Sequence, residues 1–386
     1  MRTKTLATLV VLTCAAAACG GEPPPPPQPP PPPMAPPQPL STAPTAEAPS
    51  PPPPKPAITD LVPQTLKNVT DAFNAHDAQK FAANFSSDVA GTAYGMPEMH
   101  GRDDVVKNLQ QLFDMSSDVK AGAARLFAKG NVIAVDWVSA GTMTGDFMGM
   151  KASKKPFGGH RLVVCWLNDD GLMTQTHEYA DVAGMMAQVK GAKDAPAVPT
   201  VPTSTEFHWA KNTPEEDKLA DWAKTSNDAF NKDDAKAVSA LFAPDGDLTF
   251  YTFGGKTIKG PKELEKFHGD FLKAIPKAQF TISNAWAVDG YVIAERTVSG
   301  TQKGRLGPLP ASNKDVTLHE AAILQPTVDG KVQHVWAYGN AAEIAPPPAP
   351  KAAAAPGAPP APKGGPAPAA KPAASPAPAA PAPPKM

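Results

Sequence analysis

The sequence predicts an α+β fold built twice. Three observations carry this. Apolar residues at helical spacing come first, and strand-like stretches follow, within the middle of the chain. The same short words recur there in the same order. Most of the proline, 36 of 49 residues, lies outside that region. Helices followed by a mostly antiparallel sheet is the α+β arrangement, and 386 residues exceed what one compact unit usually holds.

Composition divides the chain. Residues 23–56 hold 20 of the 49 prolines and residues 346–386 hold 16. Neither tail can bury enough apolar surface to offset its ordering entropy, so both are expected to be disordered or polyproline II. Residues 19–56 are expected to form a stalk, and the proline stretch would span roughly 100 Å if extended. Residues 57–345 have ordinary globular composition, with 29 basic and 35 acidic residues, a net of −6. That balance argues against a nucleic-acid partner, which would select a basic core.

Residues 1–18 carry a short positive start at Arg2 and Lys4, an apolar run from Leu6 to Leu12, and Ala15 to Ala18 before Cys19. This is the pattern of a secretory signal, too short for a spanning helix. Small residues directly before a cysteine resemble the bacterial lipobox, which implies acylation of Cys19 and anchoring to a lipid bilayer. The alternative is an ordinary cut after Ala18. No aspartate follows Cys19, which favours the outer membrane, with the protein facing the periplasm or the surface. The C-terminal tail, residues 346–386, carries four lysines and no acid. Contact with anionic cell-wall polymers is one expectation for it, and a solubilising role is the simpler one. Cys165 sits in an apolar run and is expected to be a buried structural thiol.

The repeat begins with Asp71-Ala72-Phe73-Asn74, which returns as Asp228-Ala229-Phe230-Asn231. Phe85 and Asp88 match Phe242 and Asp245. Further on, Gly141 matches Gly300, His160 matches His319, and Tyr179 matches Tyr338. Two units follow, 57–190 and 205–345, separated by a proline-marked linker at 191–204. In the first unit Val62, Leu66, Val69 and Phe73 line a helical face; in the second, Leu219, Trp222, Ala223 and Phe230 do so. Thr213-Pro214-Glu215-Glu216 is a capping box with proline at the first helical position. Shorter helices are expected near 78–86 and 235–243, and again near 102–115 and 261–274. Each unit ends in stretches rich in Val, Ile, Thr and aromatics, which read as strands.

The first unit has Gly141-Thr142-Met143-Thr144-Gly145-Asp146-Phe147-Met148-Gly149, then Ser153, Lys155 and Phe157, then Asp170-Gly171, and ends in His177 and Asp181. The second keeps Gly300-Thr301, Gly304, Gly307, Pro310 to Lys314, Asp329-Gly330-Lys331-Val332 and Trp336. This order resembles the SnoaL-like polyketide cyclase branch of the nuclear transport factor 2-like superfamily. The resemblance implies two tandem cone-shaped domains, each a curved, mostly antiparallel sheet packed on N-terminal helices around an apolar cavity. It also implies that the domains pack together as an intrachain pseudo-dimer.

Strand alternation puts Met173, Gln175, His177, Tyr179 and Asp181 on one face, and His334, Trp336, Tyr338 and Asn340 on one face of the second unit. These, with Trp137, Met143 and His160, are the candidate ligand wall. In the family a pocket aspartate is general acid and base, which implies that role for Asp181, assisted by His177 or Tyr179. The competing expectation is that Asp181 caps the helix that follows. The family's hairpin histidine is Met143 here and Gln302 in the second unit, and the terminal aspartate becomes Asn340. The second unit therefore reads as a non-catalytic partner. His160 also suits a structural place at a strand start. The methionines of the first unit suit an adaptable apolar wall or core filling, and Met143, Met148 and Met150 are a weak fit to copper. No cofactor and no metal site are expected. The leading expectation is an anchored envelope protein that binds a small apolar or amphipathic molecule in the first unit. The alternative is a cyclase or isomerase using Asp181.

Overall fold

A computed structural model describes residues 57–147, 149–252, 255–307 and 309–344. The signal sequence, Cys19, the stalk and the C-terminal tail lie outside the described residues. Among the described residues no helix is long and apolar enough to cross a membrane.

The first repeat opens with α1 (Ile58–Asn74) and the short α2 (Ala78–Ala82), capped by the Asp77 side chain. Strands β1 (Phe85–Ala93) and β2 (Met99–His100) precede α3 (Gly101–Met115). Then come β3 (Lys120–Lys129), β4 (Val132–Thr142), β5 (Pro156–Leu167) and β6 (Met173–Ala180), closed by α4 (Val182–Lys190). A short β7 (Glu206–Trp209) leads into the second repeat. That repeat runs α5 (Pro214–Asn231), α6 (Ala235–Ser239), β8 (Phe242–Phe250), β9 (Lys256–Lys259) and α7 (Gly260–Ala274). It ends in β10 (Gln279–Val288), β11 (Tyr291–Thr301), β12 (Asp315–Pro326), β13 (Val332–Gly339) and a 3₁₀ turn at Ala341–Glu343.

Local chemistry explains the helix starts. Thr213 Oγ1 accepts from Glu216 N at the head of α5. The Glu216 carboxylate does not close the reciprocal half of the box. It accepts instead from the backbone of Lys211, Asn212 and Asp289, and so pins the helix start to the β10–β11 turn. At the other end of the helix each repeat uses the same tie. Asn74 brackets the backbone of Ala121, and Asn231 brackets that of Phe280.

The α+β class holds, but the cone shape is overturned. The first sheet has the order β2-β1-β6-β5-β4-β3-β7 and the second β10-β11-β12-β13-β8-β9. Both are open. They are also mixed, because β1 runs parallel to β6, β7 parallel to β3, and β8 parallel to β13. A cone would need the sheet to curl until its edge strands approached each other. Here the first sheet ends in strands of two and four residues, β2 and β7, at opposite edges. Joining the first strand beside the last buries that junction inside each sheet, so no seam is left to close.

One face of each sheet packs on its own helices. In the first repeat that core holds Val62, Phe73, Phe85, Leu109, Phe113, Trp137 and Met173. A separate apolar cluster joins the two repeats through the opposite faces, with Phe127, Leu162, Val164 and Tyr179 against Ile293, Ala321, Ile323 and Tyr338.

Candidate functional site

The two candidate walls lie mostly between the repeats. A register shift after Trp166 in the β5–β6 pairing breaks the alternation of β6. Met173 therefore turns into the helix-facing core, whereas His177 and Tyr179 face the second sheet. His177 Nδ1 lies 2.8 Å from Glu295 Oε1, and the Tyr179 hydroxyl donates to the same oxygen at 2.8 Å. Asn284 Nδ2 donates to Glu295 Oε2 at 2.6 Å. Gln175 is exposed and hydrogen-bonds His177. Burial, then the Glu295 charge, pushes the Tyr179 phenol far above its ordinary value.

The same place in the first repeat is Asp136. Arg125 Nη2 lies 2.7 Å from its Oδ2, and His160 Nδ1 lies 3.3 Å from its Oδ1. Burial works to raise this carboxyl, but His160 and Arg125 hold it below the ordinary range. The Arg125 guanidinium also covers the Trp336 ring at 3.8 Å. Two stacked pairs complete the pattern: His160 on Tyr251 and His319 on Tyr94, each with centroids 4.2 Å apart. His334 hydrogen-bonds Asp247, and Asn340 donates to Tyr94 O while its oxygen caps the 3₁₀ turn. Tyr338 is fully buried in the joint. Glu295 and Asp136 did not figure among the candidate residues. Their signal was an acid directly after an apolar run, at matching places after residues 132–135 and 291–294.

Asp181 Oδ1 accepts from Gly184 N at 3.0 Å and begins α4. Cys165 is buried, and burial pushes its thiol up to about 12. Met143 is buried in the first core and accepts a hydrogen bond from Ser153, while Met148 lies outside the described residues. Among the described residues no three His, Cys, Asp or Glu side chains are placed to hold a metal ion.

The helix-facing space differs between the repeats. In the first, the Trp137 indole stands there among other rings. Phe73 meets Trp137 and Phe113 edge-on, with centroids 6.0 and 5.4 Å away. In the second, the strand register sets Arg296 opposite Glu320, where the first repeat sets Trp137 opposite Arg161. Leu109 of α3 has His268 at the matching place in α7, and Thr70 of α1 has Asn227 in α5. The large indole is thus gone, and a cavity of about 80 Å³ remains.

Phe230, Phe242, Phe250, Phe267, Phe271 and Phe280 supply its aromatic walls. Its polar groups are few. Glu320 Oε2 accepts from Arg296 at 2.8–2.9 Å, and Arg296 lies over Phe230. His268 is buried, and desolvation with the Arg296 charge pushes its pKa down to about 3. Its Nε2 has no protein partner, and neither has Asn227 Oδ1. The arrangement is a ring-lined hole with one neutral imidazole, one amide oxygen and one carboxylate whose countercharge is built in. It suits a small uncharged molecule, whose polar atoms meet few but fixed partners.

The family model described as SnoaL-like polyketide cyclase matches residues 64–189 and 220–346. No curated protein matches the chain. Among solved structures, AclR from Streptomyces galilaeus is 21% identical over 33% of this chain and 83% of its own, with a TM-score of 0.30. TsrD from Streptomyces laurentii is 17% identical over 34% of this chain and 95% of its own, with a TM-score of 0.31. A protein of ketosteroid isomerase-like fold from Catenulispora acidiphila, in complex with trimethylamine, is 20% identical over 34% of this chain and 91% of its own, with a TM-score of 0.28.

Proposed function

Since the chain belongs to the SnoaL-like polyketide cyclase family, present in two copies, we propose that it acts on a small, largely apolar molecule held in the second repeat, by cyclase- or isomerase-type proton transfer. The observation that carries this is the aromatic cavity of the second repeat, where Arg296 stands in place of the buried Trp137 of the first. Glu320 is the carboxylate that lines the cavity and is the proton acceptor in this reading. Arg296 keeps its charge compensated. His268, neutral above about pH 3, donates a hydrogen bond to a carbonyl oxygen as negative charge grows there. The first repeat serves as the docked partner, and Asp181 serves as a helix cap.

The test is proton exchange. Cyclohexanone is incubated in deuterium oxide with the protein, and loss of its α-proton signal is followed by NMR. The wild type should exceed the buffer rate, and Glu320→Gln should fall back to it. A wild-type rate equal to buffer would leave a binding protein.

We further propose that the chain is exported and acylated at Cys19, which would hold it to the outer membrane on its proline-rich stalk, with the lysine-bearing tail free to meet anionic wall polymers. Support comes from Ala15 to Ala18 immediately before Cys19 and from the missing aspartate after it. Mass spectrometry of the mature N-terminus tests this: a diacylated Cys19 supports it, and an unmodified one overturns it.

A further inference from the structure

Three pieces of chain meet where β11 turns back toward β12: the last turn of α7, its connection to β10, and the hairpin 302–314. Lys303 N and Gly304 N both donate to Ala274 O, and Leu306 bridges Leu309. Lys273, Lys277, Lys303, Arg305 and Lys314 stand on these pieces, and all five are exposed. Two acids border them, Asp270 and Asp315. Residues 57–345 carry a net of −6, so this end is a positive pole on an acidic body.

The first repeat folds the same backbone with the opposite charge. Thr144 N and Gly145 N donate to Met115 O there, and Phe147 bridges Met150. Yet Lys273, Lys277 and Arg305 stand where the first repeat has Asp114, Asp118 and Asp146, and Lys303 stands in place of Thr144. Those acids have local roles. Asp118 Oδ1 accepts from Thr142 N at 2.7 Å and from Ser116 at 2.9 Å, and Asp146 accepts from Ala152 N at 3.0 Å. The second repeat forms its hairpin without these carboxylates, so local folding does not explain the reversal.

The cations also differ in what holds them. In the first repeat Lys120 donates to Asn74 O, Lys151 to Asp146, and Lys155 to Lys190 O. In the second, Lys273 shares the exposed Asp270 with Lys266, a pairing that water screens. Arg305 Nε donates to Gly307 O within its own turn. Among the described residues no carboxylate lies within ion-pair reach of Lys277, Lys303 or Lys314.

The surroundings select the partner. The exposed large apolar side chains, Met96, Phe207 and Val328, lie elsewhere, so this end lacks the apolar centre that a protein interface uses. Its one ring, Phe271, is half-buried and packs in the core beneath, which leaves no platform for a nucleic-acid base. Recognition here is by charge alone, spread over three segments. A plane of many anions meets such a spread, and the headgroups of an anionic bilayer form one.

We infer that this end of the second repeat rests on a bilayer of anionic lipids, with Lys273, Lys277, Lys303, Arg305 and Lys314 against headgroup phosphates. The contact needs no acyl chain, and it turns the second repeat toward the membrane.

Vesicle cosedimentation of the full chain tests this, with Cys19→Ser in every sample so that no acyl chain contributes. Vesicles are phosphatidylcholine alone or with about one-third phosphatidylglycerol, and the reading is the excess binding to the mixed ones. That excess should be clear at low salt and shrink at physiological salt. Lys273→Asp, Lys277→Asp and Arg305→Asp together give the second repeat the first repeat's own residues, and should cut the excess at least about 100-fold. Lys303→Thr, which also restores the first repeat's residue, should cut it about fivefold. Near-ultraviolet circular dichroism checks that each variant is folded. Lys351→Glu with Lys371→Glu, in the C-terminal tail, should leave most of the excess in place. No excess for the wild type would overturn the inference, and so would an excess that the triple variant and Lys303→Thr both keep. Capture of the wild type by polyphosphate without any vesicle excess would assign this end to a soluble polyanion and overturn the bilayer contact.

Discussion

The Tyr179 hydroxyl of the first repeat donates to Glu295 Oε1 of the second at 2.8 Å, in a joint where Glu295 is only 1% exposed. A buried carboxylate needs partners, and this one draws its phenol and imidazole from the other repeat. Tyr179→Phe keeps the ring and removes the donor. It should cost about 1–3 kcal/mol of stability in urea unfolding. An unchanged midpoint would mean that the hydrogen bond adds nothing to docking.

Trp137 is the buried indole of the first core. Trp137→Ala should cost about 3–5 kcal/mol, because the fold collapses only partly around the space left. The same substitution should give the first repeat a toluene-binding hole, read by ligand-observed NMR titration. A loss below about 1 kcal/mol would show that neighbouring rings refill the site.

His268 sets a pH dependence whose sign is fixed. Its folded pKa is down to about 3 from the ordinary 6.5. Between those values the unfolded chain binds a proton that the folded chain refuses. Its contribution is therefore complete above about pH 6.5 and is lost as the pH falls toward 3. The slope approaches about 1.4 kcal/mol per pH unit. His268→Leu should flatten the wild-type decline between about pH 6 and 4 and raise stability there. Parallel curves for the two proteins would mean that the imidazole is protonated in the fold.

Asp181→Ala removes the cap of α4 and should cost about 0.5–2 kcal/mol. Cyclohexanone exchange should be unaffected. A collapse of exchange in a variant that stays folded would move the chemistry to the first repeat.

Cys165 should resist thiol reagents until the chain unfolds, because burial pushes its pKa to about 12. Site-resolved mass spectrometry of alkylated peptides reads this directly. Rapid native labelling would mean that β5 opens without global unfolding.

The chain's organisation was legible in its residues because it depends on local and repeated signals. Asp71-Ala72-Phe73-Asn74 and its copy revealed the duplication, and proline placement separated the tails from the folded part. Helical periodicity found α1 and α5, and Thr213-Pro214 marked a start that the structure keeps. The N-cap option for Asp181 was equally local, since a cap bonds its own next turn.

Tertiary structure alone decided what those elements face. Alternation groups His177 with Tyr179 and Trp336 with Tyr338, but a strand has two faces, and which of them meets helices depends on chain elsewhere. The register shift after Trp166 then sends Met173 to one side and Tyr179 to the other, a change that no local period reveals. The open, mixed sheets follow from pairing β1 with β6 and β8 with β13 across most of each repeat. The cavity arises from residues far apart in sequence, Asn227, His268 and Arg296, whose meaning appears only when they are superposed on Thr70, Leu109 and Trp137. Whether a hole remains is a question of summed side-chain volume in three dimensions, and a linear pattern does not carry that sum.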